Sequence, residues 1–154
     1  MTLNQVIQRL QTIAENHRQI NSFQYGAIAD WLANAQPKAE CPVMFVDHSN
    51  GNISTTQRLT THNFNIYLLD LVNASNNAMS NETEVLSDML SVAEDVISII
   101  KSPDYENATL PWFSPGDAAV SMVVDDTTDR MAGVLIAISI STLFEPNRCQ
   151  VPTL

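Results

Sequence analysis

The order of hydrophobic rhythms along these 154 residues constrains the fold more than any motif does. Two helical stripes come first, then two alternating strands, one long helical stripe and two more alternating strands. A helical stripe and a one-sided strand each have an apolar face that must be buried against another element. The order therefore predicts an α+β fold, α-α-β-β-α-β-β, with a mostly antiparallel sheet of about four strands and helices packed on one face.

Thr2 and Gln5 stand in a capping-box relation. Behind them Leu3, Val6, Ile7, Leu10, Ile13 and Ala14 recur at helical spacing. Phe23, Ala27, Ile28, Trp31, Leu32 and Ala35 suggest a second, shorter helix ending before Pro37, so that the chain would open with a helical hairpin. Val43 to Val46 is a short apolar run, and Asp47 to Gly51 reads as a turn because Asn50-Gly51 is the strongest local turn signal. Arg58 to Val72 reads as a long strand with Phe64, Ile66 and Leu68 on one face and Leu69 and Leu71 on the other.

Asn81 is placed to cap the long helix, with Val85, Leu86, Met89, Leu90, Ala93, Val96, Ile97 and Ile100 forming its stripe and Pro103 stopping it. Asp104 to Asp117 reads as a loop carrying Trp112 and Phe113 between Pro111 and Pro115. Ala119 to Val124 and Met131 to Phe144 form a hairpin across Asp125, Asp126, Thr127, Thr128 and Asp129, and the second strand alternates most cleanly in the chain. Residues 1–144 are expected to form one domain and 145–154 an extended tail.

The chemistry-bearing residues are few and scattered. His17, His48 and His62 share no ligand spacing, and glycine is too scarce for a phosphate-cradling loop. Asp125, Asp126 and Asp129 resemble a carboxylate cluster but sit where a hairpin turns through solvent. Asp47 and His48 read as turn residues, His62 as a solvent-facing strand residue, and Glu94-Asp95 as solubilising charge. The expectation is no catalytic residue, no cofactor and no metal. Trp112 and Phe113 read either as a lid over the core or as a partner anchor. With Phe144, Val151 and Leu154 they are the interface candidates.

Net charge is −10, with the basic residues spread singly, which argues against specific nucleic-acid binding. The first residues lack the basic start and apolar stretch of a signal peptide, and no run approaches a membrane span. Cys41 and Cys149 are then expected to be reduced, with a bridge between them the alternative.

The opening helix (Leu3 to Ala14), the Pro42 to Asp47 strand, Asn63 to Val72, the helix Glu82 to Ser102 and the late strand Gly133 to Ile140 together resemble the small α+β proteins of tailed bacteriophages. These are the tail terminator, tail completion and neck-ring families. Phe64-Asn65-Ile66-Tyr67-Leu68-Leu69-Asp70-Leu71 and Ile138-Ser139-Ile140-Ser141-Thr142-Leu143-Phe144 look like proteins of crAss-like and related phages of gut Bacteroidetes.

The resemblance implies a virion protein assembled in the bacterial host cytoplasm, without enzymatic activity. It would form a hexameric or dodecameric ring at the head–tail junction or tail terminus. Its partners would be its own copies and the adjoining portal, neck or tail ring and tube proteins. DNA would pass through the channel non-specifically, and no membrane is involved. The asparagine-rich stretch before the long helix and the Trp112 loop have no counterpart in those families. The competing readings are an adaptor or chaperone-like binding module and a small hydrolase using Asp125, Asp126 and Asp129.

Overall fold

A computed structural model describes residues 2–33, 41–72, 81–102, 112–125 and 131–144. In chain order the elements are α1 (Leu3–Asn16), β1 (Ser22–Tyr25), α2 (Ile28–Ala33), β2 (Val43–Ser54), β3 (Leu59–Leu71), α3 (Glu82–Lys101), β4 (Trp112–Phe113), β5 (Ala119–Asp125) and β6 (Met131–Leu143). The fold is α+β. Among the described residues six strands form one sheet in the order β1-β2-β3-β6, with β4 and β5 both paired to β6. All pairings are antiparallel except β1 with β2.

The long elements form for the reasons their periodicity gives. Thr2 accepts from the Gln5 amide while the Gln5 side chain accepts from the Thr2 amide, so two otherwise orphaned donors at the start of α1 are satisfied. Val6, Leu10, Ile13 and Ala14 then bury one stripe. In α3, Val85, Met89, Val92, Ala93, Val96 and Ile100 are buried. Both stripes meet Met44, Val46, Phe64, Ile66, Leu68, Val134, Ile136, Ile138 and Ile140 in the main core. His17 Nε2 lies 3.3 Å from Asp95 Oδ2 and ties the end of α1 to α3.

Four features differ from the expected order, and about four strands become six. First, the opening pair of helices is interrupted: Ser22–Tyr25 is a strand, and only Ile28–Ala33 is helical. Gly26, at φ +151°, separates the two in a conformation that disfavours side chains. A four-residue segment has too few turns to declare a period, and pairing with β2 decides its state.

Second, Asn50-Gly51 does not turn the chain. β2 runs on to Ser54, with a register shift between His48 and Asn50 that leaves Ser49 as the extra residue of a bulge. A Cβ on Gly51 would lie 3.1 Å from the Thr61 carbonyl oxygen and 3.3 Å from His62 Nδ1, so the glycine serves close cross-strand approach. The chain reverses at residues 55–58 instead, where Arg58 takes φ 54° and its carbonyl accepts from the Phe144 amide at 2.8 Å.

Third, Trp112–Phe113 is a short strand against Ser141 and Thr142 rather than loop. Fourth, not every helix lies on one face. Trp31 of α2 packs on the reverse of the sheet, its ring centroid 5.2 Å from that of Phe45, beside the second cluster of Val43, Leu69 and Met131. At the start of α3 the Asn81 carbonyl accepts from Val85, but the Asn81 side chain makes no capping bond.

Candidate assembly surface

Four registers run unbroken across the sheet from β1 to β5. One contains Phe23, Met44, Leu68, Val134 and Met122, and another Tyr25, Val46, Ile66, Ile136 and Val120. Their side chains share the face that α1 and α3 cover, because successive residues of a strand alternate between faces. Inside the sheet these positions are core. At the two ends they are not: Val120 is 39%, Met122 55% and Val124 41% exposed, and Tyr25 is 44% exposed.

The helix layer stops short of β5. Leu86, Leu90, Ile97 and Lys101 recur on one flank of α3, and the three apolar ones are only partly buried against the core. Lys101 Nζ donates to the Ser114 and Gly116 carbonyls and to Ser114 Oγ, at 3.4, 2.5 and 3.3 Å. That contact holds residues 114–116, which lead into β5, against the end of the helix. Val120, Met122 and Val124 thus make an apolar strip along β5 that is open to solvent.

The reverse face of the sheet is polar where β2, β3 and β6 meet. Thr61 and Ser141 hydroxyls lie 2.7 Å apart, Ser139 Oγ donates to Asn63 Oδ1 at 2.5 Å, and the Asn63 amide donates to Asn50 Oδ1. Ser114 Oγ donates to the Ser139 carbonyl at 2.6 Å and Ser49 Oγ to the Asn63 carbonyl at 3.0 Å. These hydrogen bonds tie the polar side chains of the three strands to one another. Next to it, burial first and the Asp47 carboxylate second raise the Tyr67 phenol above its ordinary value.

Two histidines read as unrelated come together. His62 Nδ1 lies 3.3 Å from His48 Nε2, and both rings pack near Phe64. The bulge at Ser49 brings His48 opposite Phe64 while His62 sits opposite Gly51. Burial, and then the neighbouring His48, lower the His62 imidazole below its ordinary value. Neither residue is in a turn or fully open to solvent. Asp47, also in β2 rather than in a turn, accepts from the Ile28 amide at 3.4 Å. Among the described residues no group of three His, Cys, Asp or Glu side chains converges as a metal site would.

The five interface candidates separate. Trp112 is 1% exposed in the main core, with the Arg9 guanidinium carbon 4.3 Å from its ring centre. It is therefore not part of the open surface in this fold. The backbone of Phe113 pairs with Ser141. Phe144 is half-buried beside the 55–58 turn. Val151 and Leu154, like Asp126, Asp129 and Cys149, lie outside the described residues. Asp125 ends β5 opposite Met131. The strip on β5 escaped the sequence reading because Val120, Met122 and Val124 look like any inward face until the helix layer is seen to end before them.

The chain matches no protein-family model and no curated protein. No described helix is long and apolar enough to cross a membrane.

Proposed function

We propose that this protein is a structural ring component of a tailed-phage virion, at the head–tail junction or tail terminus, joining head or portal to tail around the DNA channel. The observation that carries the reading is the contrast between a chain of net charge −10 and an uncharged, apolar, solvent-open strip along β5. Exposed sheet edges are ordinarily guarded by charge, proline or a bulge, because an unguarded edge recruits another strand. Residues 119–124 have none of these guards.

The resemblance of the chain to phage tail-terminator and neck-ring proteins supports the same reading. So does the acidic balance: an acidic channel wall repels the duplex and lets it slide, where a basic one would grip it. The reading assigns no catalytic residue. The β5 edge also admits an adaptor that captures an extended peptide by strand addition.

Native mass spectrometry and negative-stain imaging of the concentrated protein separate the two. Annular particles support the ring, as does the protein's presence in purified virions. A monomer that binds an extended peptide and never enters a particle supports the adaptor.

A further inference from the structure

The two ends of the sheet fit one another. Register by register, Ser22 to Tyr25 of β1 lies level with Val123 to Val120 of β5, through Val43 to Val46, Leu69 to Ile66 and Gly133 to Ile136. The end strands also run in opposite directions. β1 is parallel to β2, and three antiparallel steps separate β2 from β5. If a second copy is placed beside the first in the same orientation, its β1 meets β5 as an antiparallel neighbour at the same height.

We infer that copies of this chain join head to tail by pairing β5 of one with β1 of the next, continuing the sheet from subunit to subunit. This rests on the ring reading and names its contact. Phe23 and Tyr25 of the second copy then stand opposite Met122 and Val120 on the helix-covered side. The exposed Tyr25 extends the apolar strip that Val120 and Met122 begin.

Charge agrees with this pairing. The chain carries 7 basic and 17 acidic residues, yet none falls within 22–25 or 119–124, and neither segment contains proline. Like charges therefore do not oppose each other along the seam. Geometry meets one condition of a closed assembly as well. A head-to-tail contact that repeats with a step along its axis climbs into a helical filament, whereas one without a step closes into a ring when its rotation divides a full turn. Edges at equal height join without that step.

A cross-link tests the pairing residue by residue. Directly opposed residues of antiparallel strands have Cα atoms about 4.5–5.5 Å apart, within the roughly 4.4–6.8 Å that a disulfide spans. The full chain with Cys41→Ser and Cys149→Ser would carry Tyr25→Cys and Val120→Cys, with Gln24→Cys and Val120→Cys as the control on opposite faces. Mild oxidation should give a ladder of covalent oligomers from the first pair, ending at the ring size, and at least tenfold less product from the control. Met122→Lys, at an open position, should convert rings to monomers while leaving the thermal midpoint of the monomer unchanged.

Rings that form normally, survive Met122→Lys and yield no ladder would overturn the β5–β1 contact while leaving the ring reading intact. A protein that stays monomeric by native mass and gives no ladder at any concentration would overturn both.

Discussion

Gly133 shows how tightly single positions are fixed. A Cβ there would fall 1.8 Å from the Leu68 carbonyl oxygen and 2.8 Å from its carbon, both backbone atoms of the adjacent strand. Neither can move without parting β3 from β6, so Gly133→Ala should cost about 3 kcal/mol or more and lower the denaturant midpoint accordingly. The His48–His62 pair makes a pH prediction. Because the His62 value is lowered in the fold, the unfolded chain binds a proton first as pH falls through the ordinary histidine value of about 6.5. The stabilising contribution is thus complete above that pH and is lost as pH falls toward the lowered value. Thermal midpoints of the unaltered protein should drop between pH 7.5 and 5.5 more than those of His62→Gln. Equal slopes would show that His62 does not titrate as described. Neither feature was legible in the chain alone. His48 and His62 are fourteen positions apart, and it is the antiparallel pairing of β2 with β3 that makes them neighbours. Gly51 carries the same dipeptide signal as a hairpin turn, although cross-strand crowding is what requires it here.

At the scale of elements, the sequence was readable where periodicity ran long. α1, α3, β3 and β6 each extend for 13 residues or more, enough repeats to declare a face. β1 has 4 residues and β4 has 2, so each exists by virtue of its partner strand and not of its own pattern. The fate of Trp112 followed from β4: the backbone pairing with Thr142 turns the indole into the core beneath Arg9. Trp112→Ala should therefore destabilise by about 3–5 kcal/mol in urea unfolding. Trp112→Phe should cost markedly less, because the buried Trp112 Nε1 has no hydrogen-bond partner among the described residues to lose. If Trp112→Ala were neutral for stability, the core assignment would be wrong. The capping box at α1 gives a smaller, local effect: Thr2→Ala should cost about 1 kcal/mol, read as a lowered midpoint with unchanged cooperativity.

For the whole molecule, the sequence conveyed the α+β class and the acidic balance but not where the helix layer ends. That limit emerges only when α1 and α3 are laid on the sheet and β5 is left with Val120, Met122 and Val124 in solvent. In the proposed assembly the charge of this acidic chain is carried elsewhere, and the β5–β1 seam is neutral. Raising ionic strength should therefore strengthen assembly, by screening repulsion between the acidic bodies without weakening the apolar seam. The most direct measurement is the native mass of the purified protein across a concentration series, paired with images of the same sample. A discrete annular species at a small whole multiple, hexamer or dodecamer, of the 17.0 kDa chain is expected. A single 17.0 kDa species at every concentration and salt, with no annular particle, would contradict it.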